Sequence, residues 1–285
     1  MSEIRIHVWH AGKVCVAPKL PFGGDNCTMK EAAGIGVRKK DRIWLPVSAY
    51  LIEHPEHGRI LVDTGWNRNM SPEGKYDKKA MIASFGNPLL YLVNQGVVEK
   101  GQTVKEQLAA MGLAPKDLDY ILLSHLDVDH VSGLSQLSEA KHIIVSNDEI
   151  SCAYRKDFNS RVRYQKHLWE GTGMKGINWN GQEGPFGRSY DVFNDGSIVM
   201  INIPGHSNGL CAVKVTSAQG KFVLLFSDGG YGHQSWEQMI TSGITVDKEK
   251  QKKSLEWIRK MSMDPDCVES LANHDADVKP HVITL

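Results

Sequence analysis

The chain has no excess of charge of either sign. Its 33 lysines and arginines balance 33 aspartates and glutamates, for a formal net charge of zero. No basic surface therefore advertises nucleic-acid binding. The positive runs at 38–40 and 248–253 are interrupted or flanked by acidic residues and read as solvated faces. No apolar stretch reaches the ~18 residues expected of a membrane span, and Met1 to His7 lacks the long apolar region of a secretory signal. Cysteine is sparse: Cys15, Cys27, Cys152, Cys211 and Cys267 are widely spaced and form no CxxC. An odd, scattered set argues against a disulfide scaffold and for a reducing compartment, so a cytoplasmic protein is expected, with no nucleic-acid or membrane partner. Low-complexity linkers, internal repeats and a clear domain boundary are also lacking.

What is there suits a large core. With 285 residues, 41% of them hydrophobic and 23% charged, a single domain over 1–285 is expected. Apolar runs bounded by turn residues predict strands at Ile4–Val8, Val47–Ile52, Ile60–Val62, Tyr120–Leu123, His142–Val145, Ile198–Ile203, Leu210–Val215 and Phe222–Phe226. Helical signals mark Val104–Met111, Val131–Leu137, Asn147–Tyr154 and Lys248–Met261. Strands come in groups in both halves, which suggests two sheets packed face to face with helices outside. Two stretches break the rhythm and read as irregular insertions: 66–101 and the aromatic-rich 157–190. The aromatic insertions also suit a homodimer.

Tyr120–Leu123 runs directly into Ser124-His125-Leu126-Asp127-Val128-Asp129-His130. Imidazole and carboxylate hold divalent zinc, iron or manganese. Four such residues within six positions, at a strand's carboxyl end, point into the crevice where α/β proteins place their chemistry. A polar turn with Asp129 capping the next helix would explain a single HxxxxH. It explains two histidines and two aspartates followed by Gly133 less well. Further donors also follow strand-like runs: His206 in Pro204-Gly205-His206, Asp228 in Ser227-Asp228-Gly229, and His274 after Asn273. Asp63-Thr64-Gly65 ends another strand with a carboxylate.

These landmarks, in this order, resemble the metallo-β-lactamase superfamily over about Val47 to His274. The resemblance implies an αββα sandwich, an α/β fold of two mixed β-sheets packed face to face with helices outside, and a two-metal crevice along one edge. It places one metal on His125, Asp127 and His206, and the second on Asp129, His130 and His274. Asp228 would bridge the two, opposite a bridging water or hydroxide, and Asp63 would orient ligands from behind. Position 127 departs from the pattern: most of the superfamily reads HxHxDH, whereas this chain reads HxDxDH. An anionic oxygen donor there shifts preference toward iron or manganese, which leaves zinc only narrowly first. It also makes a bound water less acidic.

Tyr231, three residues after Asp228, and the Tyr50–Pro55 run before Asp63 look like the N-acyl homoserine lactonase branch. That similarity implies hydrolysis of a lactone or related ester through a metal-bridging hydroxide. Tyr231 would donate to the developing oxyanion and Asp129 would carry a proton to the leaving alkoxide. An aromatic packed beside a Gly-Gly turn is the plainer reading of Tyr231. Trp66, Phe85, Tyr91, Trp169, Trp179 and Phe186 are candidates for an apolar acyl channel, with core or interface packing as the competing reading. His233 is a candidate for the crevice wall or the surface. A glyoxalase-II-like thioesterase is disfavoured because the chain ends soon after His274, without a basic helical region. A non-catalytic module of the same fold is favoured only by Asp127.

Overall fold

Side-chain alternation decides the architecture. In β2 (Ile43–His54), Tyr50 and Ile52 face one way while Val47, Ala49 and Leu51 face the other, and both sets are buried. A sheet covered on both faces needs a second layer on each. In β11 (Phe222–Ser227), Val223 and Leu225 join the same core as Tyr50, whereas Phe222, Leu224 and Phe226 pack against Leu255 and Ile258 of a helix. The computed structural model describes residues 3–285. Met1 and Ser2, the first residues of the Met1 to His7 segment expected to lack a signal and of the domain expected over 1–285, lie outside the described residues.

The first sheet runs β13-β1-β2-β3-β5-β6-β7, with β4 also paired to β1. Its remaining members are β1 (Arg5–Val16), β3 (Gly58–Val62), β4 (Gln95–Val97), β5 (Tyr120–Leu122), β6 (His142–Ser146), β7 (Lys175–Ile177) and β13 (His281–Thr284). The second runs β12-β11-β10-β9-β8, from β8 (Ser189–Asp191), β9 (Ile198–Asn202), β10 (Cys211–Thr216) and β12 (Cys267–Ala272). Both sheets are mixed: β3, β5, β6 and β7 pair in parallel, as do β11 and β12, and the other pairings are antiparallel. Helices α1 (Met29–Ala32), α2 (Lys78–Phe85), α3 (Pro88–Val93), α4 (Val104–Ala110), α5 (Val128–Val131), α6 (Asn147–Ala153), α7 (Phe158–Arg163), α8 (His233–Glu237) and α9 (Lys248–Ser262) complete the chain. The expected sandwich of two mixed sheets is what the chain forms.

Helix α9 shows why the outer layer forms. Gln251, Ser254, Leu255 and Ile258 are buried at helical spacing, and Asp247 caps the start by accepting from the Lys250 amide. The helix expected at Val131–Leu137 is instead α5 followed by a 3-10 turn at Leu134–Gln136. The Gly133 amide is diverted to the Gly65 carbonyl, which ends the helical ladder. A Cβ on Gly133 would also sit 2.3 Å from the Thr64 carbonyl, so only glycine allows this approach.

The stretch 66–101 holds α2, α3 and β4, and 157–190 holds α7, β7 and β8. Trp66, Phe85 and Trp169 are buried in the core on the outer face of the first sheet, so their packing reading prevails. Tyr91 bonds the Tyr76 hydroxyl, and the Trp179 indole donates to Asp148. All five cysteines are free. Among the described residues, no helix is long and apolar enough to cross a membrane.

Candidate metal centre

Both sheets contribute to one edge of the sandwich. His125, Asp127, Asp129 and His130 follow β5, and Asp63 follows β3, in the first sheet. His206, Asp228 and His274 follow β9, β11 and β12 in the second. Hydrogen bonds tie the two sheets together here. The Ser227 hydroxyl donates to the Ser124 hydroxyl at 2.8 Å, the Cys211 amide to the Ser124 carbonyl, and the Tyr50 hydroxyl to the Ala272 carbonyl.

The Asp63-Thr64-Gly65 turn cradles the His/Asp segment. Both the Thr64 amide and its hydroxyl donate to the His130 carbonyl, at 2.8 and 2.7 Å. Asp63 adopts a left-handed backbone (φ 58°), which an aspartate tolerates better than most residues. Its carboxylate accepts from the Ser124 amide and hydroxyl and lies 2.8 Å from His130 Nδ1. That partner fixes the His130 ring with Nε2 facing inward. His274 is fixed likewise by the Pro46 carbonyl, 2.7 Å from its Nδ1. Asp127, not Asp129, takes the cap position of α5, and its side chain makes no capping bond.

The inward atoms form overlapping groups: His125, Asp127 and His206; His125, His130 and Asp228; Asp129, His130 and His274. Asp228 Oδ1 lies 3.3 Å from His130 Nε2 and 3.4 Å from His274 Nε2, and Asp228 Oδ2 lies 3.7 Å from His206 Nε2. His274 Nε2 is 3.4 Å from Asp129 Oδ2, and His125 Nε2 is 3.4 Å from Asp127 Oδ2. Tetrahedral donors at about 2.1 Å from a shared ion stand about 3.4 Å apart. His125 Nε2 and Asp228 Oδ1 are buried without a hydrogen-bond partner, a costly state unless a cation completes them. The donor set therefore fits divalent metal.

Electrostatics divide the group. Burial pushes the Asp127 carboxyl up, but the Arg163 guanidinium and His125 outweigh it and hold the group well below the usual carboxylate range. Burial, aided by Arg163, lowers His206 below the usual imidazole range. Burial also opposes charge on His130 and His274, yet Asp63 and Asp228 raise the first and Asp228 raises the second. Tyr231 is pushed up by burial and then by Asp228, so its phenol stays protonated. Its ring stacks on His274 at 5.1 Å between centroids and meets His206 edge-on at 6.1 Å. His233 turns to Asp275, which accepts from both its amide and its Nδ1.

Two residues escaped the sequence reading. Arg163 grips Asp127 with Nε to Oδ1 at 2.5 Å and Nη2 to Oδ2 at 2.9 Å, and its Nη1 donates to the His206 carbonyl at 2.8 Å. Glu149, fully buried in α6, accepts from the Leu126 and Gly209 amides and the Tyr164 and Ser207 hydroxyls. It thus joins the loops carrying His125 and His206 to the end of α7. No local spacing marks either residue. The only hint was an arginine in a stretch rich in aromatics.

Residues 42–225 match the model of the metallo-beta-lactamase superfamily. The chain is 27% identical over 277 residues to the N-acyl homoserine lactonase AttM of Rhizobium radiobacter, covering 97% of this chain and 95% of that one. It is 29% identical over 196 residues to an N-acyl homoserine lactonase of Bacillus thuringiensis, covering 69% and 68%. In fold it is similar to an N-acyl homoserine lactone hydrolase solved with N-hexanoyl-L-homoserine at its catalytic metal centre. The TM-score is 0.73 at 22% identity, over 97% of this chain and 95% of the other. The dizinc quorum-quenching lactonase AidC superposes with a TM-score of 0.62 at 14% identity, over 99% and 94%. With a family model matching well over half its length, the chain belongs to the metallo-beta-lactamase superfamily.

Proposed function

We propose that this chain is a metal-dependent hydrolase that opens a lactone ring of the N-acyl homoserine lactone kind. The observation that carries the reading is the spacing of Asp228 from His130, His274 and His206, with Tyr231 packed against two of these imidazoles. Support also comes from the lactonases matched along almost the whole chain. In this proposal His125, Asp127 and His206 would hold one ion and Asp129, His130 and His274 the other, with Asp228 available to either group. Zinc is the first choice because imidazole supplies most of the donors, with iron or manganese as alternatives.

A bound divalent ion would supply Lewis acidity toward the ester carbonyl and lower the pKa of water. The protein's own residues do the rest. Tyr231, kept neutral, donates its O–H to the oxygen that gains charge as the carbonyl carbon becomes tetrahedral. Asp129 takes a proton from the attacking water and passes it to the ring oxygen as its bond to carbon breaks. One water is consumed, one C–O bond forms and one breaks, and the product is a hydroxy acid. Asp63 and the Pro46 carbonyl keep two imidazoles aimed while this happens. A cytoplasmic location belongs to the same reading, because five free thiols suit a reducing compartment.

The test pairs elemental analysis of the purified protein with a turnover panel of acyl homoserine lactones, other lactones and thioesters. One or two ions per chain and preferential lactone opening are expected. Protein that takes up no metal, or that turns over thioesters but no lactone, would sink the proposal.

A further inference from the structure

The centre contains a cation of its own, on one side only. Arg163 engages both oxygens of Asp127, and its third donor holds the His206 carbonyl. The guanidinium is braced where it stands, because the neighbouring Tyr164 hydroxyl is bonded to Glu149, which also binds Ser207 and Gly209. An ion between His125, Asp127 and His206 would have to share the Asp127 carboxylate with this fork. It would also sit a few ångströms from a fixed positive charge in a partly buried site, where repulsion is poorly screened.

Among the described residues, no lysine or arginine pairs with Asp129, His130 or His274 on the opposite side, and its imidazoles are better supported. His130 is backed by the Asp63 carboxylate and His274 by the Pro46 carbonyl, partners that raise the basicity of a ligating ring. Behind His125 there is only the Ser124 hydroxyl, 3.0 Å from Nδ1, and His206 Nδ1 has no hydrogen-bond partner. Charge and support point the same way.

We propose that Arg163 makes the two halves unequal toward metal: the Asp129, His130, His274 half, with Asp228, fills first and tightly. The His125, Asp127, His206 half fills only at higher free-metal concentration. Arg163 is a positioning residue that sets occupancy. The inference rests on the metal-dependent reading above, because both halves must be metal sites for their order to matter.

The experiment is a Zn²⁺ titration of chelator-stripped full-length protein against a chromophoric competitor, followed by elemental analysis after gel filtration. Two steps differing at least about tenfold in affinity are expected, with one ion retained on the column. In Arg163→Met the Asp127 carboxylate loses its fixed guanidinium partner and keeps only the His125 and His206 imidazoles beside it, so the second step should tighten about tenfold and two ions should be retained. Arg163→Lys keeps the charge and should keep the gap. His125→Ala should lose the weaker step and keep the tight one, which tests the assignment even if Arg163→Met does not fold. Equal affinities in the parent protein overturn the inequality alone. An unchanged gap in a folded Arg163→Met protein overturns the role of Arg163. No Zn²⁺ uptake by the parent overturns this inference and the metal-dependent function together.

Discussion

Tyr231 lies nearly flat on His274, with the two rings inclined by 17° and their centroids 5.1 Å apart. The phenol is thereby held over the side of the centre that Asp129 and His130 also face. Its ring touches imidazoles on both sides of the site, so removing the hydroxyl leaves the packing in place.

Tyr231→Phe is therefore expected to lower lactone turnover by roughly 10²-fold, the usual cost of losing one oxyanion donor. Metal content should stay at the parent level. Steady-state rates and elemental analysis on the same preparation check both halves of the statement.

Asp63→Asn probes support without touching the inward donors. Asparagine can still accept from the Ser124 amide, but it cannot match a carboxylate behind His130 Nδ1. Metal affinity should fall by about 10- to 100-fold, read by competition with a chelator. Asp228→Ala is the harsher change, because Asp228 faces three imidazoles. It should abolish both metal retention and hydrolysis.

Glu149→Ala strands four buried donors at once. A loss of about 3–5 kcal/mol in urea unfolding is expected, the scale for breaking a buried charged network. Glu149→Gln keeps part of the network and should cost less.

The His233–Asp275 pair gives a pH signature. The hydrogen bond that the His233 imidazole donates to Asp275 is the main cause raising it above its ordinary value. A raised folded-state pKa means the extra stability is fully present below the unfolded value, about 6.5. It is lost as pH rises through the folded value. His233→Ala should thus destabilise the protein more at pH 6 than at pH 9. The difference should be no more than about 0.5 kcal/mol, because the side chain is 36% exposed and solvent screens the pair. Thermal melts of both proteins at the two pH values measure it.

The strands at the heart of each sheet were legible because burial on both faces leaves continuous apolar runs, as in Phe222–Phe226. Most of the donors were legible because each follows such a run, whereas His274 follows only the short buried pair Leu271-Ala272. Edge strands were not. In β12 the sequence Cys-Val-Glu-Ser-Leu-Ala leaves Val268 exposed and buries only its last two residues, so no clean period shows. The 131–137 helix failed because Gly133 is committed to a partner far away in sequence, Gly65. Arg163 was invisible for the same reason, since it lies 36 residues from Asp127 and meets it only after α7 docks. Sequence alone singled out Asp127 as the departure from the family pattern. What the fold adds is the counter-charge that accompanies it.

The split of donors between the two sheets gives the apolar layer between them a second duty. Ile6, Tyr50, Ile52, Met200, Val213 and Leu225 fill that layer, and their combined thickness sets how far His206, Asp228 and His274 stand from His125 and His130. The interior acts as a spacer gauge. A truncation such as Met200→Ala, remote from any donor, lets the sheets settle toward each other, and displacements near 1 Å are enough to cost about a hundredfold in rate. Tolerance to change in this chain is therefore governed as much by the calibre of its interior side chains as by the identity of the histidines and aspartates at its edge.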